Sequence, residues 1–338
     1  MIELGYSRPL VLVTGATGAV GPSVVQALHQ AGYQICAFSV DAPAAGGFPQ
    51  NVEVLIGDVT EQAAVQSAMR GVDAVVHMAA LLHIVNPSPE LREKYEHVNV
   101  GGTAKVVEAA IKAGVKRVVL FSTIAVYGQA MRQVFNEQSP TNPDTYYAQT
   151  KLAAEKIVLN ARSADDRPLG TVLRLGAVYG SRIKGNYERL TRALAHHRFI
   201  PIGNGLNRRT LVYDKDVGHA AVLAVSHPAA AGGVFNVTDG SLHALNEIIA
   251  SICSALGHKP PRFSLPTGPT RALAGLVEKG YRSIGIKPPV TREMIDKYTE
   301  AIAVEGSLIQ KELGFIPQYD LKTGWKETIE EMRVRGEL

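Results

Sequence analysis

Short apolar runs and amphipathic stretches alternate through the first two thirds of the chain. "PLVLVTG" (9–15) is a β-branched run that ends at glycine, which predicts a buried strand. Similar runs predict strands at 34–40, 52–57, 73–79, 116–123, 170–176 and 233–239. The gaps carry helical patterns, among them 22–32, 61–70, 90–113 and 147–162. Pro22 suits a first helical turn and Gly32 lies just past a helix end. Continuous apolar strands alternating with helices predict a parallel sheet covered on both faces, hence an α/β doubly wound fold. From about residue 240, helical patterns are punctuated by Pro260-Pro261 and Pro288-Pro289, which reads as a smaller second lobe.

Composition narrows the function classes. The 338 residues are 46% hydrophobic and 20% charged, enough for a sizeable core. The net charge of +4 is small, and no basic run interleaved with aromatics suggests a nucleic-acid partner. No apolar stretch of about 18 residues predicts a membrane span. The opening "MIELGYSRP" lacks the basic and apolar regions of a signal peptide, so a cytoplasmic protein is expected, with no membrane partner. Cys36 and Cys253 match no metal or redox spacing and read as buried small hydrophobes. His196-His197 has no third ligand in view, so no metal site is expected.

"VTGATGAVG" sets Gly15, Gly18 and Gly21 at a strand-to-helix turn. Gly15 allows the tight turn, Gly18 close approach of a pyrophosphate, and Gly21 close helix–strand packing. The helix N-terminus then offers free N–H groups and a positive dipole end to phosphate. A dinucleotide is the expected ligand. Its contacts are expected from Gly15, Thr17, Gly18, Ala19, Val20 and Gly21 in the loop. Others are expected at strand ends, from Ser39, Asp41, Asp58, Val59, Ala79 and Ala80. Asp58 can bond the adenine, cap the next helix, or do both. Ser39 and Asp41 both compete to read the adenine ribose, and Asp41 can equally be a solvated loop acid. With no Lys or Arg nearby to hold a 2′-phosphate, NAD is expected rather than NADP.

In "TYYAQTK" (145–151), Tyr147 and Lys151 lie four apart, about 40° from each other on a helix, whereas Tyr146 is about 140° out of line. An ammonium and a positively charged nicotinamide both favour the phenolate, so Tyr147 is a candidate general base. Bringing its pKa from about 10 to neutrality needs about 4 kcal/mol. Upstream, "FSTIAVYG" (121–128) ends a strand at the edge where α/β sheets bind ligands. Alternation sends Ser122 and Thr123 to opposite sides, so only one faces the cleft.

Together the motifs resemble an extended short-chain dehydrogenase/reductase of the NAD-dependent epimerase/dehydratase family, nucleotide-sugar epimerase type. They are "TGATGAVG", "GDVT", "VVHMAA", "NVGGT", "FSTIAVYG", Tyr147-x-x-x-Lys151, "LRLGAVYG" and "RRTLVYDKDV". The resemblance spans about residues 9 to 220. It implies a seven-stranded Rossmann domain (1–176 plus about 212–237) and a C-terminal α/β substrate lobe (177–211 plus 238–338). It also implies a tightly held NAD(P), a nucleotide-sugar substrate and a homodimer formed through the helices near 95–113 and 147–162. In the implied triad, Thr123 bonds the sugar oxygen, Tyr147 takes its proton during hydride transfer, and Lys151 holds the nicotinamide ribose. Asn99 resembles an asparagine near the active site and also reads as purely structural; His77 reads as structural.

The subclass follows from what is missing. Dehydratases of the family carry an Asp-Glu pair where Ile124 and Ala125 stand here, and decarboxylating relatives a glutamate. The GDP-fucose synthase type needs a cysteine near the triad, and neither Cys36 nor Cys253 is there. What remains is epimerisation through a transient ketone, with C4 the expected position, or simple oxidation or reduction. Thr123, Ala125, Tyr147 and Arg209 are the expected substrate contacts, Arg209 gripping a pyrophosphate bidentately, with Arg208 as its competitor. Ala177 replaces an asparagine common in sugar-nucleotide enzymes. The stretch from "LPTGPTRALAGL" onward also resembles hydroxysteroid dehydrogenases, so a steroid-like secondary alcohol is the rival substrate.

Overall fold

The computed structural model describes residues 8–82, 88–129 and 133–338. The sheet strands are β1 (Leu10–Thr14), β2 (Gln34–Ser39), β3 (Glu53–Ile56), β4 (Ala74–His77), β5 (Arg117–Thr123) and β6 (Gly170–Leu175). Beyond them come β7 (Ala177–Tyr179), β8 (Arg208–Arg209), β9 (Leu211–Tyr213), β10 (Val234–Val237) and β11 (His243–Ala244). Seven strands form one sheet in the order β10-β6-β5-β4-β1-β2-β3, every pair parallel. Each falls inside its predicted run. The order reverses at β1, which lies between β2 and β4, so a crevice opens there at the carboxyl ends.

Helices α1 (Gly21–Gln30), α2 (Gln62–Ala68), α3 (Pro89–Tyr95), α4 (Thr103–Ala113), α5 (Tyr146–Asn160), α6 (Asn186–Ala195) and α7 (Asp214–Ser226) follow in chain order. One sheet face packs Val24 and Leu28 of α1 and Val217 and Ala221 of α7 into its core. The other packs Val65 of α2, Val106 and Ala110 of α4, and Ala154 and Val158 of α5. The helix predicted over 90–113 is α3 and α4 joined by a π-helical segment, Glu96–Gly102.

The tail contains α8 (Leu245–Leu256), α9 (Thr267–Ser283), α10 (Arg292–Thr299), α11 (Ser307–Leu313) and α12 (Leu321–Val334). Strand β7 leaves the sheet after Gly176 and pairs with β9 instead. Around these two strands Tyr179, Tyr213, Ile248, Ile252, Trp325 and Ile329 form a separate core. Trp325 stacks on Tyr179 at 4.6 Å. The tail is not all lobe: Ile309, Leu313 and Phe315 are buried in the sheet's own core. Cys36 and Cys253 are both buried free thiols.

Candidate active site

The glycine loop is built as its spacing requires. Gly15 has φ +69°, and a Cβ there would lie 2.7 Å from the Ala79 backbone nitrogen. A Cβ on Gly21 would lie 1.9 Å from the Ala16 carbonyl oxygen, so only glycine lets α1 start so close to β1. No side chain caps α1, which leaves its first-turn amides to an anion. Ser39, at the end of β2, accepts from the Thr17 N–H at 3.1 Å and so braces the loop. Asp41 is exposed beyond that strand. The Asp58 carboxylate accepts from the Thr60 N–H at 2.8 Å in a local turn; it does not cap α2, whose N-cap is Glu61 without a side-chain hydrogen bond. Val59 is buried against Gly102, where a Cβ would meet its side chain at 2.8 Å. These features fit a dinucleotide diphosphate, the group expected from the sequence.

His77 is structural, and its tautomer can be deduced. Thr103 Oγ1 donates to the Asn99 carbonyl at 2.6 Å, so it accepts from His77 Nε2 at 3.0 Å. His77 Nδ1 then accepts from the Thr14 hydroxyl at 2.7 Å. Burial, with Lys151 nearby, pushes its pKa down to about 3, so the ring stays neutral and ties β1 and β4 to α4. Asn99 is a bridge as well. Its Oδ1 accepts from the Leu81 N–H at 2.8 Å, and its Nδ2 donates to Thr150 Oγ1 at 3.1 Å. It thereby fastens the segment after β4 to the catalytic helix candidate α5. The π-helical turn that carries it is a local widening of the kind often found at functional sites.

The two hydroxyls at the end of β5 are separated as alternation predicts. Ser122 is buried and donates to Glu155 at 2.5 Å. Glu155 also takes three hydrogen bonds from Arg174, at 3.1, 3.2 and 2.7 Å. Arg174 then donates to the Tyr127 hydroxyl, which donates to Asn236 at 2.9 Å. Ser122 therefore belongs to a buried structural network. Thr123 is on the other side, half-buried, and its Oγ1 accepts from the Ala125 N–H at 3.2 Å. Ile124 and Ala125 follow it with no ionisable side chain.

On α5, Thr145 caps the first turn by accepting from the Ala148 N–H. Tyr147 is half-buried and Lys151 is buried. Burial pushes the Tyr147 phenol up to about 12, with Tyr95 adding to the rise. Burial pulls the Lys151 ammonium down to about 8, and Glu155 opposes that. The expectation that the neighbouring ammonium favours the phenolate is outweighed in the chain itself, because desolvation is the larger effect on both groups. At neutral pH the proton sits on Tyr147 and the charge on Lys151. Tyr146 points elsewhere: its hydroxyl donates to Glu96 at 3.0 Å and its ring lies under Arg92.

Tyr95, Glu155 and Arg174 escaped sequence reasoning. The Tyr95 ring meets both Tyr146 and Tyr147 edge-on, with centroids 6.1 and 6.3 Å away. Arg174, a charge inside an apolar strand run, was the one visible signal. Arg209 is half-buried, and its Nη2 donates to the carbonyls of Lys297 and Tyr298 at 2.7 and 3.0 Å. Its competitor Arg208 is exposed.

The chain is similar to known proteins along most of its length. The chain is 28% identical over 326 residues to the N-acetyl-alpha-D-glucosaminyl-diphospho-ditrans,octacis-undecaprenol 4-epimerase of Escherichia coli O157:H7, covering 95% of this chain and 94% of the relative. It is 27% identical over 322 residues to the UDP-glucose 4-epimerase of Vibrio cholerae, covering 94% of each. It superposes on MoeE5 in complex with UDP-glucose and NAD with a TM-score of 0.75 and 26% identity, over 96% of this chain and 99% of that one. The NAD dependent epimerase/dehydratase family matches over residues 11–238, most of the chain and all of its glycine loop, Thr123, Tyr147 and Lys151, and the protein belongs to that family.

Proposed function

We propose that this protein is an NAD-dependent epimerase acting at C4 of a sugar carried on a diphosphate. One observation supports this reading above the others. Thr123, Tyr147 and Lys151 belong to elements at the carboxyl edge of a parallel sheet beside a glycine loop, and Ile124 and Ala125 supply no second acid or base. Without that second group, elimination of water has no proton carrier, whereas epimerisation needs only one. The relatives named above act on or bind a hexose joined to a diphosphate, although what lies beyond the diphosphate differs between them. That shared portion is the substrate class proposed here.

NAD held in this cleft would supply reversible hydride transfer at the sugar carbon. The chain's residues handle the proton and the positions. Thr123 bonds the sugar oxygen beside Ala125. Tyr147 keeps its own proton in the chain alone; the positive charges of bound NAD and of Lys151 would favour its phenolate, and the phenolate would take the hydroxyl proton and later give it back. Lys151 would hold the nicotinamide ribose and keep a positive charge next to that phenolate. Gly15, Gly18 and Gly21, with the amides of Ala19 and Val20, would cradle the cofactor diphosphate, and Thr17, whose N–H is held by Ser39, would line it. Ser39, Asp41 and Asp58 line its adenosine end, and Ala79, Ala80 and Asn99 its middle. The donors of Arg209 not tied to backbone carbonyls grip the substrate diphosphate. The nucleotide lobe (1–176 plus 212–237) and the substrate lobe (177–211 plus 238–338, apart from the stretch at 309–315 that packs into the sheet core) meet at this cleft. We read the protein as cytoplasmic and dimeric through α4 and α5.

Incubating the purified protein with UDP-glucose, without added NAD, should yield UDP-galactose with no accumulation of NADH. Stoichiometric NADH release with a ketone or acid product would replace this reading with a dehydrogenase.

A further inference from the structure

Helix α9 is inside out. Leu273 and Leu276 are 62% and 67% exposed, whereas Ala274 and Gly275 are buried. At about 100° per residue, Ala272, Leu273, Leu276 and Gly280 share one outward arc of about 100°. Arg271, Glu278 and Arg282 occupy the opposite side, which is the side turned to α10. There Arg271 donates to both Asp296 oxygens at 2.7 and 3.0 Å, and the Arg292 N–H donates to Glu278 at 3.1 Å. Gly275 lies so close to Arg292 that a Cβ would fall 1.9 Å from its Nε. A surface helix of a globular protein normally does the reverse, with its apolar stripe inward. The exposure extends past both ends of α9: Phe263 is 84% exposed before it, and Ile284 and Ile286 are 67% and 52% exposed after it.

The charge around this stripe is one-sided. From Lys259 to Arg292 there are seven Lys or Arg and one acid, Glu278. That surplus exceeds the net +4 of the whole chain, so the remainder of the protein is net negative. Lys259, Arg262, Lys279 and Lys287 are exposed. Glu278 is paired with Arg282 at 2.6 Å and offers them no neutralisation. An exposed apolar stripe with a cationic border matches one kind of surface, in which hydrocarbon lies below a layer of anionic headgroups. A second copy of the same face would bring like charge against like charge.

We propose that α9 and the segments flanking it form an interfacial docking face by which the protein rests on an anionic lipid bilayer. This docking is peripheral. No described helix is long and apolar enough to cross a membrane; a lipid surface as partner departs from the expectation, drawn from the sequence, of no membrane partner. The proposal is independent of the catalytic reading. It does place the candidate substrate arginine near the lipid, because Arg209 is held by the Lys297 and Tyr298 carbonyls in the last turn of α10.

The full chain should co-sediment with vesicles of phosphatidylcholine mixed with phosphatidylglycerol and stay in solution with phosphatidylcholine alone. Leu273→Glu with Leu276→Glu, and separately Lys279→Glu with Lys287→Glu, should each weaken that binding about tenfold or more. Both variants should melt like the parent, because the replaced side chains are exposed; should the leucine variant lose its fold, the lysine variant carries the test. Equal binding to both vesicle types, no binding to either, or lysine-variant binding like the parent's would overturn the proposal. So would a parent dimer, without vesicles, that the leucine variant converts to a monomer, since the face would then be an interface between copies.

Discussion

The layer between β5 and α5 and the hairpin of α9 and α10 treat charge in opposite ways. In the first, Glu155 and Arg174 are buried, and the carboxylate and guanidinium are joined by several hydrogen bonds within a network reaching Ser122 and Tyr127. In the second, Arg271 and Asp296 pair in the open while leucines face out. Burial makes a polar pair obligatory in the first place and leaves it energetically minor in the second. The difference also separates roles. The buried network fixes the helix that carries Tyr147 and Lys151, whereas the hairpin presents a surface.

The largest test of the comparison is chemical. Tyr147→Phe should keep the fold and lower turnover by about 10²–10⁴, the range for losing a general acid–base group, measured with whichever sugar diphosphate proves to be the substrate. Full activity would remove Tyr147 from the mechanism. Next is the network beneath it. Glu155→Leu alone should cost about 3–5 kcal/mol in denaturant unfolding, since it strands a buried guanidinium. Adding Arg174→Met should recover most of that loss. If the single variant proved as stable as the parent, the layer would not differ from the hairpin.

Asp214 gives a pH-dependent test within the same interior. It is buried, with Ser23 donating to it at 3.0 Å, and burial raises its pKa from 3.8 to about 6. A raised carboxyl pKa means the protonated form fits the fold better. Its contribution to stability is complete below pH about 4 and is lost as pH rises through about 6. Asp214→Asn should therefore stabilise the protein by about 1–3 kcal/mol at pH 8 and leave it unchanged near pH 4. Equal effects at both pH values would contradict burial as the cause. The smallest effect belongs to the hairpin: Arg271→Ala should leave the melting temperature unchanged within error, as expected of an exposed ion pair.

Much of this was legible in the chain. The seven sheet strands were visible because strands buried on both faces read as continuous apolar runs. Tyr147 was separable from Tyr146 by helical phase alone, and the structure sends Tyr146 to Glu96 instead. Alternation alone did not choose between Ser122 and Thr123; the family resemblance pointed to Thr123. In the structure Ser122 is bound to Glu155, a contact between residues 33 apart in sequence. Tyr95 was hidden for the same reason, since its role depends on how α3 meets α5.

Local periodicity and the glycine spacing are properties of neighbours along the chain, so the sequence by itself determined the doubly wound sheet, the loop at Gly15 to Gly21 and the phase of Tyr147 and Lys151. Desolvation and partner choice depend on what distant segments bring together. The tertiary structure alone decided that Ser122 is structural, that His77 is neutral, that burial raises the Tyr147 pKa, and that α9 turns its leucines outward.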